Sequence, residues 1–375
     1  MVHFGRNELK ATVFGIFYIM LEGASDKNGV WAQRLTVLDI IVDFGQVLRT
    51  VITKEYGWSG EVVAIIFKFD VIQLLTEIVL DVLPMWIFFV VAALLAMTAI
   101  GVSIFVGKLF LEQKNDKIWP IKLLRFLVAV LVTTFFTNVL DFIIYPINCI
   151  IDDENTSLSQ LMKGPDAPCA PFAFPEVLIT IPSLLLTTLF IVFSLVAGLL
   201  AFEINPLSRH PMAMFTGRIE TSWTLFKVQA AFVVFFAAKV NALVAALLMF
   251  AHASWLLWAH LSILPFHEAP TNTARGGVYG ALLWATITNI IIVVLPQEMR
   301  GADEENWKPG VLQTVLVCIL PVAYQAGVML TNFSIERVKV QLKQLKREWS
   351  AELGHETSTT GFKGRRQGRN APSWD

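Results

Sequence analysis

Asp39, Asp43 and Gln46 recur at intervals of four and three residues inside the apolar run from Ala32 to Thr53, so a helix there carries all three on one face. Lipid is the wrong neighbour for that face, because a carboxylate in hydrocarbon costs about 3 kcal/mol or more. Protein or water must cover it. Two chemistries suit such a stripe: an ion, proton or ligand site, or a buried ion-pair network that holds helices together. Either needs partners on other elements. Lys239 and Asn241, Asp141 and Asn289 lie in other apolar runs and are the candidates, with Asp43 to Lys239 the expected pair. The usual accompaniments of a transport pathway are missing from the sequence: there is no visible inverted repeat, selectivity-filter loop or arginine ladder.

A second constellation is covalent. Cys149 and Cys169 bracket a stretch that also holds Asn155-Thr156-Ser157, an N-glycosylation acceptor pattern. In an oxidising compartment the two thiols form a disulfide, and closing a loop of this length stabilises by about 3 kcal/mol. Two unpaired thiols beside a chance acceptor pattern is the alternative. Asn332-Phe333-Ser334 repeats the pattern at a helix end expected in the cytosol, where it stays unmodified, and Cys318 reads as a small packing residue. His252 and His260 are eight apart without the acidic neighbours of an intramembrane metal site, and with His267 they read as interfacial histidines. No P-loop, GxSxG or HExxH occurs. The expectation is a chain that is not an enzyme and uses no metal or cofactor.

Composition says what must position these residues. Of the 375 residues 55% are hydrophobic and 16% charged, with a mean hydropathy of +0.62, which is more apolar surface than a water-soluble domain buries. The lipid bilayer is therefore a partner. A net charge of -1 leaves no electrostatic footprint for nucleic acid. Leu83 to Phe110, Leu123 to Ile147, Val177 to Phe202 and Val311 to Thr331 are each long enough to cross the bilayer, and Ala32 to Thr53 and Gly277 to Pro296 are less pure versions. Val228 to Phe266 as one helix would reach roughly 58 Å against about 30 Å of hydrocarbon, so it must turn back. A hairpin near Phe250, Ala251 and His252 is the expected turn. The predicted fold class is thus all-α, a polytopic transmembrane bundle of about eight spans.

Basic residues set the orientation. Lys108, Lys114, Lys117, Lys122 and Arg125 flank one connection, and Arg209, Arg218, Glu220 and Lys227 belong to another, both expected in the cytosol. The connections holding Asp152, Asp153 and Glu154, and Asp303, Glu304 and Glu305, fall outside. Both termini are then cytosolic. Residues 1–31 read as a cytosolic or interfacial segment, in which Thr12 to Leu21 mimics a signal peptide without a good cleavage site. Residues 32–333 form the bundle, 334–353 a cytosolic helix with alternating charges, and 354–375 a disordered basic tail. Asp70, Gln73, Glu77 and Asp81 mark an amphipathic helix from Glu61 to Asp81, on the outer surface or packed into the bundle.

Several landmarks resemble the transmembrane region of the TmcB and TmcC, or tiny macrocysts, family of multispan protist and algal proteins. Asn138-Val-Leu-Asp-Phe-Ile-Ile-Tyr-Pro-Ile-Asn-Cys149, with Cys169 as mate, is similar to the family's third-span exit. Asn205-Pro-Leu-Ser-Arg-His-Pro, then Gly217-Arg-Ile-Glu220 and Lys227, is similar to its fourth-to-fifth loop, and Leu264-Pro265, Asn272 and Trp284 to its later pattern. The resemblance implies a membrane core that in relatives precedes large cytosolic PAS, tetratricopeptide-like or cyclase modules, hence sensing or signalling. This chain stops soon after its last span, which implies a core without its own output domain. The expected function is a sensory, signalling or scaffold membrane core of the plasma membrane or another secretory-pathway membrane, contacting a cytosolic protein through 334–353. A channel or transporter using the first span's polar stripe is the alternative.

Overall fold

A computed structural model describes residues 30–68, 70, 85–112, 119–148, 177–200, 213–233, 238–296 and 307–359. Cys149, Asn155, Cys169, Arg209 and segment 12–25 lie outside the described residues, as does the side chain of Lys239. The elements are helices: α1 (Val30–Val51), α2 (Gly60–Phe67), α3 (Met85–Leu111), α4 (Trp119–Val128), α5 (Phe136–Asn148), α6 (Val177–Leu200), α7 (Arg218–Phe232), α8 (Ala238–Ile263), α9 (Ala269–Val294), α10 (Trp307–Cys318) and α11 (Leu320–Thr359). No strand occurs among the described residues; Met214 and Phe266 form an isolated antiparallel bridge.

Among the described residues, five helices are long and apolar enough to cross a bilayer: Ile87–Leu111, Val177–Leu199, Val240–Ile263, Ala269–Val294 and Val311–Trp349. A sixth arises if Trp119–Val132 and Phe136–Ile144, bent by 75° at their junction, count as one span. The first run, α1, is not among them because it carries Arg34, Asp39, Asp43 and Arg49. It lies instead in the core, packed chiefly against α9. The outer helices invert the soluble pattern. On α3, Ala92, Ala96 and Ala99 are buried at intervals of four and three while Leu94 and Ile104 are exposed, so small residues face the bundle and branched ones face lipid.

The bend between α4 and α5 has a local cause. Ala129–Thr134 is a π-helical turn, closed by Phe135 N–H donating to the Val130 carbonyl at 2.8 Å, and Phe135 leaves helical geometry at φ -111°. Such a break is tolerated at membrane depth only where protein covers it, and Gln46 Nε2 donates to the Thr134 carbonyl at 2.6 Å.

The expected hairpin at Phe250 to His252 is corrected: α8 runs unbroken through those residues, with Met249 and Ala253 both buried. The chain reverses earlier, between Phe232 and Asn241. Asn241 leaves helical geometry (φ -155°, ψ 96°), and its Oδ1 accepts the Leu243 and Val244 amides at 3.1 and 3.2 Å, the action of an N-cap. Helices α7 and α8 are consequently antiparallel. His252 Nδ1 meets Gln229 Oε1 at 2.5 Å, and the far ends join through Phe215 N–H to the Pro265 carbonyl and His267 N–H to the Ala213 carbonyl. Leu264, at φ 46°, adopts the left-handed C-terminal cap of α8, and Pro265 forbids continuation. Asn272 braces the turn, its Nδ2 donating to the Phe266 carbonyl at 2.7 Å.

Helices α9 and α11 approach closely through glycine. A Cβ on Gly327 would lie 2.2 Å from the Gly276 carbonyl oxygen, and one on Gly276 would lie 1.8 Å from Thr331 Oγ1.

The chain divides into two compact units, Met1–Thr331 and Asn332–Asp375. In the second, α11 continues helical to Thr359, so the helix expected to end at Leu353 runs through Gly354.

Candidate functional site: a buried ionic cluster

The stripe on α1 meets α7 and α9. Glu220, Trp223 and Lys227 recur at three and four residues on α7, and Arg275 and Tyr279 at four on α9, so each helix presents one polar face. Lys227 Nζ lies 2.5 Å from Asp43 Oδ1, and Trp223 Nε1 donates to Asp43 Oδ2 at 2.6 Å. Arg275 spans both helices: Nη1 lies 3.4 Å from Asp43 Oδ2, and Nη2 lies 3.0 and 3.1 Å from the two Glu220 oxygens. Its guanidinium stands 5.6 Å from the Trp223 ring centre, and Tyr279 meets that ring edge-on at 5.4 Å. Asp43, Glu220, Lys227 and Arg275 are all under 5% exposed. Charges so far from water persist because each is paired and hydrogen-bonded.

Asp39, one turn before Asp43, takes a different partner: Thr134 Oγ1 donates to its Oδ1 at 2.9 Å. Thr134 closes the π-helical turn, so the stripe also grips the helix break. A cavity of about 20 Å³, lined by Asp39, Asp43, Glu220, Lys227 and Arg275 and closed by α6 at Gly198, lies among these groups. It has room for one water.

A second network lies further along α1. Arg49 pairs with Asp141 at 2.5 Å and with Asp70 at 3.3 Å, tying α1 to α5 and to the end of α2. Asp70 is fully buried, which favours packing into the bundle for that part of the amphipathic segment; Gln73, Glu77 and Asp81 lie outside the described residues. A third network holds the turn after α1. Asn289 accepts from Trp58 Nε1 at 2.7 Å and donates to the Val51 carbonyl at 2.9 Å, while Gln313 accepts from Ser59 N–H at 2.7 Å.

The partners therefore differ from those the sequence suggested. Asp43 pairs with Lys227 and Arg275, Asp141 with Arg49, and Asn241 is an exposed helix cap. Glu220 and Lys227, expected on a cytosolic loop, are corrected to a helix, buried, because their seven-residue spacing aims both at α1 and α9; Arg218 beside them is exposed. Arg275, Trp223 and Arg49 escaped prediction as site residues. Pro270 in the first turn of α9 was the available signal, since a proline there marks a helix start and so puts Arg275 inside the helix.

Two curated relatives match. The chain is 22% identical over 310 residues to Tiny macrocysts protein B of Dictyostelium discoideum, covering 77% of this chain and 20% of that protein. It is 19% identical over 371 residues to Tiny macrocysts protein C of the same organism, covering 96% of this chain and 25% of that protein. The chain resembles these two proteins. It spans a quarter or less of their length. No family profile and no solved structure matches. Residues that carried the resemblance in the sequence have definite work here. Gly217 admits no side chain, since a Cβ would lie 2.3 Å from the Leu199 carbonyl oxygen. Glu220 and Lys227 hold the ionic cluster, Asn272 braces the turn into α9, and Trp284 donates to the Leu316 carbonyl at 2.9 Å.

Proposed function

We propose that the chain is an eight-pass membrane core with both termini in the cytosol, serving as a signalling or scaffold subunit and performing no catalysis itself. The passes are α1, α3, the bent pair α4 and α5, α6, α7, α8, α9 and α10 with the first part of α11. Moving the reversal from His252 to the α7–α8 junction keeps this count, and the alternation leaves the Lys- and Arg-rich connections on one side. The plasma membrane or another secretory-pathway membrane fits the acceptor pattern at Asn155 and the Cys149 and Cys169 pair.

One observation carries the partner-binding half of the reading. In the second unit Val338, Leu342, Leu345 and Trp349 recur at four, three and four residues and are 41%, 60%, 59% and 73% exposed. That is the a/d seam of a helix that packs on another helix. Lys339, Lys343, Lys346 and Arg347 flank it, which suits an acidic cytosolic partner. A photo-crosslinker at Gln344 tests this: a defined neighbour should be captured and lost in Leu342→Glu, Leu345→Glu. Capture that survives both changes, or that persists when the reporter is moved upstream and residues 334–375 are deleted, contradicts the reading.

The transport alternative draws on the helix break beside the polar stripe, an arrangement that secondary transporters share. Against it, the cavity beside the stripe holds about one water. Liposomes decide: an ion flux abolished by Asp39→Asn, Asp43→Asn supports transport, and no flux under any ion gradient removes it.

A further inference from the structure

The charges of the central cluster do not balance. Asp39, Asp43 and Glu220 face Lys227 and Arg275, one carboxylate more than there are cations. Asp43 takes both cations and Glu220 takes Arg275, while no ion pair among the described residues uses Asp39. The cavity beside it is one water in size, with charged groups on one side and Val128, Val132 and Ala197 on the other. Arg275 lines this cavity, and its Nε is buried with no hydrogen-bond partner among the described residues. A donor left so needs an acceptor.

The identity of the ligand follows from what the lining can tolerate. An anion meets excess carboxylate. A metal ion needs several free oxygens, yet both Asp43 oxygens and Glu220 Oε2 accept from nitrogen donors, Glu220 Oε1 lies 3.0 Å from Arg275 Nη2, and two fixed cations share the lining. A proton needs one carboxylate and no coordination shell, and it removes the imbalance.

We propose that Asp39 and the adjacent cavity form a proton-binding site. A hydronium ion gives its proton to the Asp39 carboxylate, leaving a carboxylic acid and one water. That water accepts from Arg275 Nε and bridges to the carboxylates. The groups facing Asp39 are Asp43 from α1, Glu220 and Lys227 from α7, Arg275 from α9 and Thr134 from the π-helical turn; α4 and α6 contribute Val128, Val132, Ala197 and Gly198, which do not titrate. Protonation weakens the acceptor of the Thr134 hydroxyl, and Thr134 stands at the 75° bend. Proton occupancy is thereby linked to the grip of α1 on the broken helix. This rests on the membrane-core reading above and names the stimulus that core would register.

Infrared difference spectra of the full chain in phospholipid nanodiscs, acid minus alkaline, read the site itself. An aspartic-acid carbonyl band, assigned by carboxyl-labelled aspartate, should appear on acidification and vanish in Asp39→Asn, while Asp141→Asn keeps it. Asp39→Glu should restore a band insensitive to aspartate labelling, which separates loss of the site from loss of fold. Thr134→Val should keep the band, because the carboxyl and not the hydroxyl holds the proton. A band unaffected by Asp39→Asn, the absence of any such band, or its removal by sodium at constant acidity overturns the proposal. If the band behaves as expected while capture from Gln344 is the same at both acidities, the proton site stands and the signalling reading fails.

Discussion

Replacing Arg275 with methionine keeps most of the aliphatic bulk and removes the charge that serves Glu220 through both carboxylate oxygens, at 3.0 and 3.1 Å. Asp43 keeps Lys227 and Trp223, so its loss is the single 3.4 Å contact. Glu220 is left buried without the cation it pairs with. Breaking a buried pair from one side costs about 3–5 kcal/mol, most of it the desolvated survivor. Neutralising that survivor should return much of the loss, so Glu220→Gln in the Arg275→Met background is expected to be more stable than the single variant, with a coupling energy of about 2 kcal/mol in the full cycle. Reversible unfolding in mixed micelles, followed by tryptophan fluorescence, measures all four corners. A single-variant cost under about 1 kcal/mol, or costs that simply add, refutes the claim that Arg275 joins α7 to α1 through these charges.

Three further perturbations probe separate joints. Gly327→Leu places carbon where only 2.2 Å separates a Cβ from the Gly276 carbonyl, and should destabilise by more than the 1–3 kcal/mol typical of overpacking, about 3 kcal/mol or above; an unchanged melting transition contradicts the close α9–α11 crossing. Asn241→Ala removes the cap of α8 and should cost about 1 kcal/mol, whereas Asn241→Ser should recover most of it by the same measurement. On non-reducing gels the chain from cells should gain mobility relative to Cys149→Ser, Cys169→Ser, and glycosidase should shift the native chain and leave Asn155→Gln unmoved; identical mobilities would place that connection in a reducing compartment.

Length and hydropathy were legible where a helix is apolar from end to end. The run Leu83 to Phe110 became α3 and Val177 to Phe202 became α6 within a few residues. The reversal in Val228 to Phe266 was hidden inside a long apolar run, where its marks are Lys239 and Asn241, polar residues equally suited to a buried network. The stripe of Asp39, Asp43 and Gln46 was legible from its four-and-three spacing. Its partners were not, because which distant helix faces α1 depends on packing. Lys239 and Lys227 were equally eligible by chemistry, and the structure pairs Asp43 with Lys227. Arg275 was missed for a different reason: Thr271 to Gly277 is polar and glycine-rich enough to read as a loop, although it lies within a helix whose neighbours supply two carboxylates.

Sidedness tests the central claim most directly. With Cys149→Ser, Cys169→Ser, Cys318→Ser as background, a single cysteine at Gln341 or at Thr156 can be challenged in intact cells with a membrane-impermeant maleimide. An eight-pass core with a cytosolic tail predicts labelling at position 156 before permeabilisation and at position 341 only after it. Labelling of position 341 in intact cells, or equal access to both positions, would contradict the topology on which the partner-binding and proton-binding readings depend.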